Sequence, residues 1–179
     1  MMEEPFKVLV VEDDPAARQL VQTIVEGRGH RVEAVADAEA GWLAFERERH
    51  PLVVLDWQLP GMDGVEFCRR IRAMSDTEDV YILFVTGMEG ADHLAQALAA
   101  GATDFLPKAA LDAQIDVRLS IAERHVGRAL ARQRERAELA RDALHDPLTG
   151  LPNRALFLDR KSTRLNSSHV ALSRMPSSA

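Results

Sequence analysis

The sequence is poor in cysteine and in aromatic residues, and it contains no long hydrophobic run. Cys68 is the only cysteine among 179 residues, which excludes a disulfide framework and a cysteine-based zinc site and fits a reducing compartment. The apolar run at 52–55 is far shorter than the ~20 residues that span a bilayer. The first residues, Met1 to Glu4, are acidic where a signal peptide is basic. We therefore expect a cytoplasmic protein with no membrane partner.

Basic residues are scarce in the first part of the chain. Residues 1–110 contain 10 Lys and Arg against 20 Asp and Glu, whereas residues 111–179 contain 12 against 8. Binding to nucleic acid phosphates needs clustered basic side chains, which the acidic part lacks. Between 118 and 141 the arginines alternate with Glu123, Glu135 and Glu138, a pattern that favours a solvated helix face. We therefore expect no nucleic-acid partner.

Residues 6–110 alternate between short β-branched runs and amphipathic helical patterns. The predicted strands are 7–11, 31–35, 52–55, 81–85 and 103–106, and the predicted helices between them are 16–26, 38–49, 65–73 and 92–99. This alternation predicts an α/β fold, a doubly wound parallel sheet with helices on both faces and right-handed crossovers.

The pattern changes from Leu111 onward. Residues 111–144 contain no proline and one glycine, which predicts a helix much longer than the globular mean. Small or apolar residues recur there with heptad spacing, and one polar residue takes the remaining position: Val126, Leu130, Gln133, Ala137, Ala140 and Leu144. This seam predicts a parallel coiled coil. A single solvated helix remains the alternative, because the seam is rich in alanine.

Polar side chains follow four of the predicted strands, at the point where each strand ends. Glu12 and Asp13 follow the first strand, Asp56 the third, Thr86 the fourth and Lys108 the fifth. Open parallel sheets bind ligands at this edge. Clustered carboxylates require a cation, and oxygen ligands suit Mg²⁺. With a lysine and a hydroxyl, they can support phosphoryl transfer to an aspartate nucleophile.

Asp56 is the strongest nucleophile candidate, because it leaves a fully apolar strand and precedes a tight turn at 59–64. Asp14, also beyond the first strand, is predicted to cap the following helix instead of joining the site.

Four stretches resemble the receiver domain of two-component response regulators, and the resemblance covers residues 5–124. They are 8–14 (VLVVEDD), 55–64 (LDWQLPGMDG), 84–87 (FVTG) and 104–108 (DFLPK). The resemblance implies a flavodoxin-like five-stranded sheet of order 2-1-3-4-5. It also implies that Asp56 accepts a phosphoryl group from a sensor histidine kinase or phosphotransfer protein, and that phosphorylation promotes a homodimer.

The resemblance further implies roles for the residues at the sheet edge. Asp13 and Asp56 would bind Mg²⁺ directly, Glu12 through water and Gln58 through its backbone carbonyl. Thr86 and Lys108 would contact the phosphoryl oxygens, and Thr86 with Phe105 would form the switch.

The sequence departs from the family pattern at two positions. Ala109 follows Lys108 where the family has a proline in a cis peptide; because a non-proline cis bond costs about 2.5–4 kcal/mol, we expect either a trans bond with a shifted loop or a strained bond. Phe105 lacks the hydroxyl of the commoner tyrosine.

Two further resemblances concern the end of the chain. Residues 143–157 (ALHDPLTGLPNRALF) resemble the start of a GGDEF domain, the diguanylate cyclase fold, but its metal-binding carboxylates and its signature are not in this sequence. Residues from 159 onward (DRKSTRLNSSH…) resemble an in-frame translation of a sequencing-library adapter. The predicted organisation is a receiver domain at 5–124, a helical linker at 125–145, a GGDEF fragment at 146–159 and a non-native tail at 160–179.

Two other functions are weighed against the receiver hypothesis. A Mg²⁺-dependent phosphatase with an aspartyl-phosphate intermediate usually has a second aspartate two residues after the nucleophile, where this chain has Gln58. A phosphorylation-independent docking module would not need the full set of site residues. We therefore predict a phosphoacceptor and not an enzyme. The histidines are predicted to lie at the surface or in caps, and Cys68 to be a buried structural thiol.

Overall fold

The computed structural model describes residues 4–87 and 91–144. The chain divides into two units, residues 1–129 and residues 130–179. The first unit contains the sheet and the helices that cover it. The GGDEF fragment predicted at 146–159 and the tail at 160–179 lie outside the described residues.

Five parallel strands form one sheet in the order β2-β1-β3-β4-β5, which confirms the flavodoxin-like prediction. The strands are β1 (Lys7–Val11), β2 (Arg31–Val35), β3 (Leu52–Asp56), β4 (Tyr81–Thr86) and β5 (Asp104–Pro107). The two central neighbours β3 and β4 are buried along their whole length, because helices cover both faces of the sheet.

Five α-helices follow the strands in the described part of the chain. They are α1 (Pro15–Gly27), α2 (Ala38–Arg47), α3 (Gly64–Ala73), α4 (Ala91–Ala99) and α5 (Leu111–Leu144), and a 3₁₀ turn at Lys108–Ala110 precedes α5. Asp14, Asp37 and Asp63 cap the first three helices by accepting from first-turn amides. The predicted cap at Asp14 is thus confirmed, and α2 ends two residues earlier than predicted.

The core lies between the sheet and the helices, and it includes Phe45, Phe67 and Phe84, all fully buried. Cys68 is buried here, as predicted, and burial raises the pKa of its thiol to about 11. The prediction of surface histidines is wrong for two of them, since His30 and His50 are buried. Each stacks on a phenylalanine ring, so ring packing replaces the expected solvent contact.

The burial of helix α5 changes along its length. Within the first unit, one face packs on the sheet through Leu111, Ile115, Leu119, Ala122, Val126 and Ala129, all buried. In the second unit, residues 131–141 are all exposed. The predicted long helix is confirmed as far as Leu144, the last residue described. None of the described helices is long and apolar enough to cross a membrane.

Candidate functional site

The candidate site lies at the edge of the sheet where the strands have their carboxyl ends. Asp56 and Thr86 are the last residues of β3 and β4, Glu12 and Asp13 follow β1 directly, and Lys108 follows β5. The parallel order brings these ends to one edge. The structure therefore collects the predicted side chains from four separate strands.

Three carboxylates form the centre of the site. Glu12, Asp13 and Asp56 each have an oxygen within 4.8 Å of the other two, with Glu12 and Asp56 buried and Asp13 exposed. Hard oxygen ligands that include one exposed side chain fit Mg²⁺, which keeps several of its waters when bound to protein.

Lys108 lies directly against two of these carboxylates. Its Nζ donates to Glu12 Oε1 at 2.6 Å and to Asp56 Oδ2 at 2.8 Å. The described residues contain no cis peptide bond, so the Lys108–Ala109 bond is trans, and the lysine still reaches Asp56. Of the two conformations expected at Ala109, the structure has the trans bond.

The carboxylate of Asp56 is held at both oxygens. The backbone amide of Trp57 donates to Oδ1 at 2.6 Å, the amide of Gln58 lies 3.4 Å from the same oxygen, and Oδ2 accepts from Lys108. The Trp57 side chain is buried between Phe84 and His93. The side chain of Gln58 is exposed, and the role of its backbone carbonyl as a metal ligand stays a prediction.

The two predicted switch residues lie on neighbouring strands. Thr86 is buried and pairs in register with Pro107, the residue before Lys108. Phe105 pairs with Phe84 and is partly buried against the core. Both residues therefore lie next to the site through the β4–β5 pairing.

Sequence reasoning missed Arg18 as a residue that supports the site. Its Nη1 donates to the backbone carbonyls of Glu12 at 2.7 Å and Asp13 at 3.1 Å, which fixes the backbone that carries both acids. No pattern in the sequence distinguishes Arg18 from the other basic residues. Only its position on α1, facing the end of β1, gives it this role.

Burial raises the pKa of Glu12 to about 7; the hydrogen bond from Lys108 opposes this shift, and the charge of Asp56 adds to it. The folded protein therefore holds the Glu12 proton more tightly than the unfolded chain does. This contribution to stability is full below the unfolded pKa and is lost as the pH rises through about 7.

As the pH rises from 5 to 8, we expect Glu12 to lower the free energy of unfolding of the metal-free protein by about 2–3 kcal/mol. Urea unfolding in EDTA at several pH values measures it, and subtracting the profile of Glu12→Gln isolates it from other groups. Mg²⁺ should flatten the difference, because a cation favours the ionised carboxylate. Parallel profiles for the two proteins would contradict the expectation.

A five-stranded parallel sheet of this order, with an acidic cluster and a lysine at its carboxyl edge, defines the receiver class of signalling domain. Comparison with known proteins gives the same assignment. Residues 8–120 match the family described as "Response regulator receiver domain". The match covers more than half of the chain, and the chain belongs to this family.

Several curated relatives are similar over somewhat more than half of the chain. The transcriptional regulatory protein AfsQ1 of Streptomyces coelicolor is 35% identical over 112 residues, which are 63% of this chain and 48% of that protein. The response regulator MprA of Mycolicibacterium vanbaalenii is 36% identical over 104 residues, 58% of this chain and 44% of that protein. The chain thus spans a little under half the length of the curated relatives it matches.

Solved structures of other receivers have a similar fold. The BeF3-activated N-terminal receiver domain of RstA from Klebsiella pneumoniae has 28% identity and a TM-score of 0.60, over 66% of this chain and 98% of that chain. The chemotaxis response regulator CheY4 of Vibrio cholerae has 30% identity and a TM-score of 0.56, over 59% of this chain and 88% of that chain.

Proposed function

We propose that this receiver accepts a phosphoryl group on Asp56 from a phosphohistidine of a sensor histidine kinase or phosphotransfer protein. The observation that supports this most strongly is the way Asp56 is held. One oxygen accepts from backbone amides, the other accepts from Lys108, and two more carboxylates lie within 4.8 Å. A nucleophile oriented in this way needs little reorganisation before it attacks.

The metal ligands in this proposal are Glu12, Asp13, Asp56 and the backbone carbonyl of Gln58. Mg²⁺, when bound, would supply the positive charge that phosphoryl transfer requires. Asp13 is the exposed member of the acidic cluster, so an ion arriving from solvent can reach its carboxylate directly.

The protein residues have distinct roles in the transfer. A carboxylate oxygen of Asp56 forms a bond to phosphorus while the phosphorus–nitrogen bond of the phosphohistidine breaks. The electron pair stays on that nitrogen, and because the other ring nitrogen carries a proton, the group departs as neutral imidazole. The Lys108 ammonium and the Thr86 hydroxyl then bind the new oxygens on phosphorus. Lys108 already contacts Asp56 at 2.8 Å, so a small movement takes it to the phosphoryl group.

The output of the switch is proposed to be dimerisation. Phe105 would move inward as Thr86 moves towards the phosphoryl group, which would alter the adjacent faces of α4 and α5. Those helices carry exposed apolar side chains that suit a self-association surface: Leu94, Leu98, Val117 and Ile121. In this proposal residues 5–124 are the receiver, the helix at 125–145 links it to the output, 146–159 belong to the start of a GGDEF domain, and 160–179 are an adapter-derived tail.

The test is intact mass after incubation with acetyl phosphate and Mg²⁺. The expected result is one phosphoryl adduct in the wild type and none in Asp56→Asn, which keeps the shape of the side chain but loses the nucleophile. Omitting Mg²⁺ should also remove the adduct.

An adduct that persists in Asp56→Asn would contradict the assignment of the phosphoacceptor. No adduct on folded wild type would favour the alternative, a docking module that works without phosphorylation.

A further inference from the structure

A polar cluster joins the loop between α1 and β2 to helix α5. Arg28 donates to both carboxylate oxygens of Glu123, at 2.6 and 2.7 Å. The same guanidinium reaches Ser120 Oγ at 2.8 Å and Asp116 Oδ1 at 3.0 Å. These partners lie on successive turns of α5, so one arginine contacts about two turns of the helix.

His30, in the same loop as Arg28, also contacts Glu123 and completes this cluster. Its Nε2 lies 3.0 Å from Glu123 Oε1, its Nδ1 is 3.5 Å from the backbone amide of Phe6, and its ring stacks on the ring of Phe6. His30 is buried, and the Glu123 side chain is only 15% exposed. Hydrogen bonds from Arg28 hold the pKa of Glu123 below its usual value. A bidentate, partly buried ion pair with a packed histidine holds its geometry far better than a surface pair.

The cluster lies near the end of the part of α5 that packs on the first unit. Glu123 lies about 18 Å along the helix from Leu111, and Ala129 is the last buried residue of α5 in the part up to Arg141 whose burial the structure describes. The cluster is therefore in the last turns that pack on the receiver before the helix becomes exposed.

The opposite flank of α5 is attached to a different part of the sheet. Arg118 donates to Asp104 at 2.8 Å, and the Tyr81 hydroxyl donates to the same carboxylate at 3.2 Å. Asp104 directly precedes Phe105 on β5. One flank of the helix thus contacts β5, the strand that carries the proposed switch residue Phe105. The other flank contacts the loop before β2, a strand that carries no site residue.

From this asymmetry we infer that Arg28, His30 and Glu123 form an anchor that stays closed in both states of the switch, so that α5 turns about it as a rigid helix. This inference rests on the proposed function. A change at β5 would then move the Arg118 flank, and the anchor would convert that movement into a rotation of the helix. Without the anchor, α5 would be held loosely near Glu123, and a movement at β5 would not rotate the helix.

The test is a spin-label distance distribution between Glu46→Cys on α2 and Arg128→Cys on α5, in the full chain, with and without Mg²⁺ and beryllofluoride. Both labelled positions are exposed, and Cys68, buried with a pKa raised to about 11, does not compete for the label. We expect a narrow distribution in both conditions with a shifted mean. Glu123→Gln should broaden the distribution about twofold in both conditions and remove the shift.

Two further variants separate anchoring from general destabilisation. Asp116→Asn, which alters the most exposed partner of Arg28, should behave as the wild type does. Arg28→Lys keeps the charge but loses the bidentate geometry, and should give an intermediate width.

Three outcomes would overturn the inference: broadening of the wild type on loading, a narrow distribution whose mean does not shift, or a normal width and shift in Glu123→Gln. Trp57 emission, followed in a Trp42→Phe background, reports separately whether beryllofluoride binds. If it does not bind, the proposed function fails, while the width in unloaded Glu123→Gln still decides whether the anchor exists.

Discussion

Replacing Lys108 by methionine is expected to lower the free energy of unfolding by about 2–3 kcal/mol at pH 8 in EDTA. The ammonium is the group paired with both buried carboxylates, at 2.6 Å from Glu12 and 2.8 Å from Asp56. The variant leaves two carboxylates in a buried site without a cation, so at pH 8 either both stay ionised or one takes up a proton, and both alternatives cost free energy. The loss should be smaller than for a fully buried pair, because the Lys108 side chain is 25% exposed.

Mg²⁺ should restore most of the stability of Lys108→Met, because the cation replaces the missing positive charge among the same oxygens. The recovery should exceed the stabilisation that Mg²⁺ gives the wild type, where the ion competes with Lys108. At pH 5 the loss should shrink, because the pKa of Glu12 is raised to about 7 and its neutral form needs no partner.

Lys7→Met is the matched control for this experiment. Lys7 forms an ion pair with Glu48 in which both side chains are 41% exposed, so its loss should cost much less than the loss of Lys108 and should not respond to Mg²⁺. The measurement is urea unfolding of both variants with EDTA or Mg²⁺. Equal losses of unfolding free energy in the two variants would show that Lys108 does not offset the repulsion between the carboxylates of the site.

The sequence predicted the fold and most of the site, because both depend on short-range signals. Each strand is a β-branched run, and parallel order alone brings the ends of β1, β3, β4 and β5 to one edge. Asp56 was predicted as the nucleophile because it leaves a fully apolar strand and precedes a tight turn, and in the structure it lies among Glu12, Asp13 and Lys108.

Contacts between distant side chains could not be predicted in the same way. Arg28 meets Glu123 across 95 positions, and nothing in the sequence near either residue marks the pair. His30 was predicted to lie at the surface or in a cap because the histidines share no metal-ligand spacing, but its stacking on Phe6 depends on where β1 and β2 lie side by side. Such contacts follow from tertiary packing, which a local pattern does not encode.

The same limit applies to close approaches of the backbone. The turn at 59–64 was predicted from its proline and glycines, but the need for Gly64 itself arises from β3. A Cβ at Gly64 would lie 2.1 Å from the carbonyl oxygen of Asp56 and 3.0 Å from the ring of Phe84. The first residue of α3 therefore packs directly against the strand end that carries Asp56, the proposed nucleophile, and its amide donates to the Trp57 carbonyl at 2.8 Å.

Gly64→Ala is accordingly expected to lower the free energy of unfolding by about 3 kcal/mol, at the upper end of overpacking costs. The contacting atom is backbone and cannot rotate away, so relief requires moving the end of β3 or the start of α3. Either movement shifts Asp56 relative to the amide of Trp57, which lies 2.6 Å from Oδ1. Any folded fraction should therefore also accept phosphoryl groups from acetyl phosphate more slowly.

Gly27→Ala provides the control, because nothing lies within 4 Å of a Cβ at that position and alanine suits a helix better than glycine. Its stability should equal or slightly exceed that of the wild type, with an unchanged rate of phosphorylation. Urea unfolding and intact mass, measured on both variants, separate the two effects. If Gly64→Ala matched Gly27→Ala in stability, the strand end would have to yield freely, and Asp56 could not be held by a rigid contact between β3 and α3.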